Sequence, residues 1–165
     1  MAQTTVTNFA TPGFVGYLAE QRASDVLKGG PVYQDQTISL GLGVVLDPAL
    51  DFAVMLPSAT SGEVFAGVTY NAFTKPSQLT NNPGPIEFQR GDSATYCARG
   101  VIFVAPETNI TVGEPVYLRA IADGPLSPGH FRNDASGGDA ILLPNARWLT
   151  SALAGEPCKL EINTP

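Results

Sequence analysis

Glycine and proline interrupt almost every apolar run of this chain. Seventeen Gly and fourteen Pro are spread through 165 residues, and few uninterrupted stretches remain that would hold a long helix, because proline removes a backbone donor and glycine costs backbone entropy. The segments left between these breaks are short, β-branched or aromatic, and bounded by Gly, Pro, Asn or Asp: 36–47, 52–57, 63–73, 94–98, 100–105, 115–121, 139–144 and 157–163. That spacing predicts an all-β fold, a compact sandwich or barrel of jelly-roll-like type. In the last segment Cys158, Leu160 and Ile162 alternate with Lys159 and Glu161, which predicts a strand buried on one face.

Two segments read as short capping helices: 19–30, which ends in a glycine pair suited to a helix C-cap, and 146–155. Neither repeats an apolar face for more than about two turns. An internal echo runs through "GGPVYQ" (29–34), "GDSATY" (91–96) and "GEPVYL" (113–118). Each places Gly and a small or acidic residue ahead of a short strand bearing Tyr, as expected where a turn feeds a strand.

The length suits one domain with a sizeable core, or a domain and an arm. With 44% hydrophobic and 15% charged residues, the composition predicts that part of the surface is covered by something else. The net charge of −6 and nine basic residues scattered singly along the chain argue against a nucleic-acid partner. No apolar run reaches the length of a membrane span, so no membrane partner is expected. The first twenty residues, "MAQTTVTNFATPGFVGYLAE", lack the basic region and apolar core of a signal peptide. They carry the isolated aromatics Phe9, Phe14 and Tyr17, and a segment of this kind buries little by itself. The expectation is an extended N-terminal arm over 1–20 and a single β-rich domain over 21–165. Residues 73–88, "FTKPSQLTNNPGPIEF", read as a long loop of the kind that serves as a contact surface.

The stretch "RGDSATYCARG" (90–100) echoes both an adhesion tripeptide and the second-cysteine strand of an immunoglobulin domain. The immunoglobulin order is Cys, Trp, Cys, with a tyrosine two residues before the second cysteine. Here no cysteine precedes Cys97, Trp148 follows it, and Tyr96 is adjacent to it and so points to the opposite face. Both echoes are read as chance. Arg90, Gly91 and Asp92 are expected to form a turn that launches a strand through Tyr96 and Cys97. The two cysteines are most simply free thiols in a reducing compartment, the alternative being a Cys97–Cys158 bridge.

Catalytic chemistry finds little to work with. The one histidine, His130, sits in a turn-like segment and reads as a surface residue. No second His or cysteine spacing offers a metal site, and no glycine-rich phosphate loop or serine elbow occurs. Asp134 and Asp139 flank "ASGG" without the run of acidic ligands that calcium needs, and read as solvated turn residues. Asn109 opens an "NIT" sequon that has meaning only in a secreted chain. No catalytic residue, cofactor or metal is expected.

The C-terminal third carries a family pattern: Phe131–Arg132, the loop "DASGGDA", the strand "AILLP", then "NARWLTSALAG" and "CKLEINTP". Upstream, "EVFAGVTYNAF" (63–73) and "RGVIFVAPETNITVGEPVYLRA" (99–120) continue it. In these features the chain resembles the structural cement, or capsid decoration, proteins of tailed bacteriophages, from about residue 29 to the end. Asn145 and Cys158 depart from the usual Gly and Ala of that pattern, but Asn tolerates a left-handed turn and Cys packs as a small apolar residue.

The resemblance implies a non-enzymatic protein on the outer surface of the phage head, made in the host bacterial cytoplasm, whose partner is the major capsid protein. Symmetry suggests a homodimer on a local two-fold axis, the most frequent oligomer, with a trimer at a three-fold junction as the alternative. The expected contact residues are Phe9, Phe14 and Tyr17 in the arm, Phe73 and Lys75 in the long loop, and Phe131 and Arg132 at the Phe-Arg turn. Trp148 is expected to be a buried core anchor, the alternative being an interface hot spot, with Arg147 paired to a carboxylate such as Asp139. The rival class is a receptor- or carbohydrate-binding β-sandwich; a small hydrolase is a more distant third.

Overall fold

The computed structural model describes residues 14–20, 22–72 and 86–164. Its strands are β1 (Leu18–Glu20), β2 (Val26–Pro31), β3 (Ile38–Ser39), β4 (Gly43–Asp47), β5 (Leu50–Met55), β6 (Phe65–Thr69), β7 (Glu87–Phe88), β8 (Ser93–Val104), β9 (Tyr117–Arg119), β10 (Phe131–Arg132), β11 (Ala140–Leu142), β12 (Ala146–Trp148) and β13 (Cys158–Asn163). The described residues are nearly all β, with one short 3-10 turn at Ser136–Gly138, and the sandwich expectation holds. An 8-stranded sheet runs β12-β13-β8-β6-β4-β5, with β1 and β2 also paired to β8. A 3-stranded sheet, β10-β9-β11, packs against it, and β3 pairs β7 separately.

β8 organises the molecule. The sequence suggests two strands here, but 12 residues run through as one. Its first half pairs with β2 and β6, and its second half with β13 and β1. Both faces of this strand are buried, so its side chains feed two different cores. Tyr96, Ala94 and Ala98 join Val44, Val54 and Ala66 in one, enclosed where the sheet curls and β5 comes back against β2. Cys97, Ile102 and Val104 join Val45, Val68, Leu118, Phe131, Leu160 and Trp148 in the other, between the large and the 3-stranded sheet. Cys97 and Ile102 are an odd number of residues apart, and side chains share a face only at even spacing. An irregularity in the pairing with β2, opposite Ala98, supplies the extra residue.

Both expected helices are strands instead. Residues 19–30 give the end of β1, a turn at Ala23–Ser24 and β2 up to its last residue but one, with Lys28, Gly29 and Gly30 paired to Tyr96, Thr95 and Ala94. Gly30 is there for closeness rather than for a cap: a Cβ would lie 2.8 Å from the Phe52 carbonyl oxygen. Within 146–155, Ala146–Trp148 pair with Ile162–Leu160, which buries the indole. Long-range pairing has overridden weak local helix preference in both.

The turn expected at Arg90–Asp92 is present, with the Asp92 carboxylate accepting from Gln89 N at 2.7 Å. The echo of Gly-turns holds at Gly91 and Gly113, which adopt φ of 91° and 95°, and fails at Gly29–Gly30, which lie inside β2. Cys158, Leu160 and Ile162 alternate inward as expected. Cys97 and Cys158 are free and buried. Burial pushes both thiols up to about 12, with the nearby Asp25 charge adding to the effect at Cys97.

Residues 14–20 are stitched into the body: Gly16 N donates to Phe103 O at 2.8 Å, Phe103 N to Tyr17 O at 2.9 Å, and Asn71 N to Gly16 O at 2.8 Å. Gly16 and Gly41 interlock with positive φ of 79° and 77°. A Cβ on Gly41 would stand 2.2 Å from Val15 Cγ1, and one on Gly16 would stand 2.4 Å from Leu40 Cβ. Residues 1–13 lie outside the described residues.

Candidate functional site

The seven expected contact residues fall into three groups. Phe9, Phe73 and Lys75 lie outside the described residues. Phe14 and Tyr17 come together, ring centroids 5.8 Å apart, with Phe14 69% exposed and the Tyr17 hydroxyl accepting from Asn71 Nδ2 at 2.7 Å. Phe14 is thus presented to solvent from a fixed anchor, while Tyr17 is half-buried. Phe131 and Arg132 are inside: Phe131 is fully buried in the inter-sheet core, and Arg132 is 7% exposed. They support the surface rather than form it.

Arg132 belongs to a buried ionic cluster. Arg119, with its side chain wholly buried, donates from Nε to both Glu107 oxygens at 2.7 and 2.8 Å, and also reaches Ile121 O and Ser136 Oγ, each at 3.2 Å. Arg132 donates to Glu107 at 3.3 Å and to Asp134 at 2.8 Å. The Glu107 hydrogen bond raises the Arg119 pKa further, so its guanidinium is permanently charged. This cluster fixes the 3-stranded sheet to the segment after β8. His130, expected at the surface, is half-buried beside it, and burial lowers its pKa. Asp134 is committed to Arg132 and to the Ser136 backbone. Among the described residues no group of three His, Cys, Asp or Glu is placed to hold a metal ion, and no helix is long and apolar enough to cross a membrane.

The surface features that sequence reasoning missed are of two kinds. Tyr33 and Phe52 form an edge-on pair with ring centroids 6.3 Å apart, and remain 48% and 60% exposed. Their neighbours in β5, Ala53, Val54 and Met55, are all buried, so no alternation in the sequence marks Phe52 as outward. The second feature is an ion ladder across β1, β13 and β12. Arg22 bonds Glu20 at 2.5 Å and Glu161 at 3.0 Å, and Glu161 also accepts from Arg147. Arg147 therefore pairs with Glu161, its cross-strand neighbour, and not with Asp139. Trp148 is buried as expected, its indole N–H donating to Pro115 O at 3.2 Å.

Comparisons with known proteins fit this architecture. The sequence pattern of the family described as "Structural cement protein (E217 gp24/Pam3 gp6)" matches residues 2–163. No curated protein sequence matches the chain. The fold is similar to a chain of the solved structure "The capsid of Myoviridae Phage XM1", with a TM-score of 0.70 and 14% sequence identity over 99% of this chain and 98% of that one. At that identity the likeness is one of fold. The family pattern, in contrast, runs through every strand of both sheets, and the chain belongs to the structural cement proteins of phage capsids.

Proposed function

We propose that this protein binds the outer surface of the assembled head, joins neighbouring major capsid subunits and stabilises the expanded shell against the pressure of packaged DNA. The observation that carries the reading is the family match over residues 2–163. The surface supports it: large apolar side chains such as Phe14, Phe52 and Val64 stand exposed on a body braced by two cores. Rigid, exposed aromatics are the residues that anchor protein interfaces. A standard interface of about 1,600 Å² spans micromolar to picomolar affinity, but a shell repeats it many times, so modest contacts resist rupture together. The role is mechanical and non-enzymatic, and the unit on the shell is a homodimer on a local two-fold axis. Residues 1–13 and the segment containing Phe73 and Lys75 add contacts to the capsid. Trp148, the residue best suited to stacking on sugars, is buried, which speaks against the carbohydrate-binding alternative.

Purified protein incubated with expanded heads lacking it should decorate them and raise their resistance to heat. Heads left bare would sink the proposal. The arm is tested by cutting after residue 13, because a cut at 20 would also remove β1 and the Tyr17–Asn71 bond. The shortened protein should unfold at the same temperature as the full chain and bind heads more weakly.

A further inference from the structure

The basic residues stand singly along the sequence, but the fold gathers them. Arg22 from the β1–β2 turn, Arg99 from β8 and Arg147 from β12 line one open trough of about 580 Å³. Its charged residues on β12 and β13, Arg147 and Glu161, project from the face opposite Trp148 and Leu160. Lys159 stands at its margin, 3.5 Å from Glu20. Since Arg119 and Arg132 are buried with Glu107, much of the outward positive charge of a −6 chain is concentrated here.

These guanidinium groups are not fully used. Arg147 has a side chain 71% exposed and gives its Nε to Glu161, which leaves its terminal N–H groups outward. Arg99 is exposed, and none of the described carboxylates pairs with it. The trough also continues into a cleft of about 150 Å³ that shares Pro144, Asn145, Ala146 and Asn163 with it and is otherwise walled by Val64, Phe65, Leu143 and Thr164. Val64 is 59% exposed. The result is an elongated groove with guanidinium groups at one end and an apolar seat at the other.

We propose that this groove receives an extended acidic segment of the capsid subunit beneath, with an aliphatic side chain against Val64 and Pro144 and carboxylates on Arg99 and Arg147. The inference deepens the capsid-binding reading and rests on it. Planar guanidinium forks match carboxylates in bidentate geometry. Asp25 and Glu161 also line the trough and repel a run of closely spaced charges, as in a nucleic acid or polyphosphate, so the carboxylates of the segment are spaced, one on Arg99 and one on Arg147. Steering by the trough should make attachment depend on salt, because exposed charges are screened over about 8 Å at physiological ionic strength.

The test uses the full chain and expanded heads lacking it, titrated at low and high salt, with occupancy read by imaging. R99E/R147E should lower apparent affinity by roughly tenfold or more and flatten the salt dependence. V64D, at an exposed position, should weaken binding at both salt concentrations. K28E/R90E changes the net charge equally at exposed residues outside the groove and should alter affinity less than about twofold. Trp148 fluorescence during heating and light scattering check that each variant is folded and keeps its oligomeric state. Unchanged binding by R99E/R147E would overturn the proposal, as would an equal loss in K28E/R90E. A loss of self-association in R99E/R147E would overturn it too, since the groove would then hold a second copy of this chain. Wild-type protein that leaves the heads bare would overturn the cement reading and this groove with it.

Discussion

Glu107→Gln tests the buried ionic cluster with little change in shape. In the native protein Glu107 sits between Arg119 and Arg132, whose side chains are 0% and 9% exposed. Removing its charge leaves both guanidinium groups desolvated, with Asp134 able to compensate Arg132 alone. Breaking a buried pair by removing one partner costs about 3–5 kcal/mol. Gln keeps one acceptor for the Arg119 Nε, so the lower end, about 3 kcal/mol, is expected. That is a large share of the roughly 5–15 kcal/mol by which domains are stable. With a urea m-value of about 2 kcal/mol/M, the midpoint should fall by roughly 1.5 M. Trp148 reports the transition, being the chain's one tryptophan and buried in the core that also holds Phe131 and Leu118. The apolar replacement E107L/R119M removes the matching charges together and should recover to within about 1 kcal/mol of wild type. A midpoint shift below about 0.3 M for E107Q would refute the reasoning, and so would a double variant no more stable than E107Q.

Three further outcomes follow from close contacts and from titration. Gly67→Ala should unfold the protein or cost more than about 3 kcal/mol, measured by denaturation, because φ is 155° and a Cβ would stand 2.2 Å from the Cys97 carbonyl oxygen. Cys97 and Cys158 should resist alkylation at neutral pH in the native protein and both react in denaturant, since burial keeps them protonated up to about 12; fast labelling of folded protein would contradict this. Glu161 is held below its ordinary carboxyl value of 4.5, first by the Arg147 hydrogen bond and then by Arg22. Its contribution to stability is therefore complete above that ordinary value and is lost as pH falls through the depressed one. Arg147→Gln should flatten part of the acid-induced loss of stability below about pH 4.5, and an unchanged pH profile would count against the ladder.

The sequence made the all-β class legible because Gly and Pro left no room for helices, and it made β13 legible because Cys158, Leu160 and Ile162 alternate cleanly with polar neighbours. It hid β2 and β12. Their local composition is helix-tolerant, and they are strands because of partners about 70 residues and about 14 residues away, which no window of local periodicity contains. It hid the fate of Phe131 and Arg132 for a similar reason. A Phe-Arg pair reads as a contact motif until Glu107, on another strand's exit, takes the arginine and the inter-sheet core takes the ring. The ladder and the trough arise from pairing across β13, so residues scattered in sequence become neighbours.

Because β8 sends Tyr96 and Ala98 into the curled half and Cys97 and Ile102 into the inter-sheet half, melting of either half should strip the other of its central strand. Two interiors sharing one strand are expected to unfold as one cooperative unit. Calorimetric and van't Hoff enthalpies should therefore agree, and the slowest-exchanging amides should cluster along this single strand. Docked on a shell, such a subunit has no soft half to yield first: strain applied at Phe14 or at Phe52 reaches the same central strand, through β1 at one end and through β2 at the other.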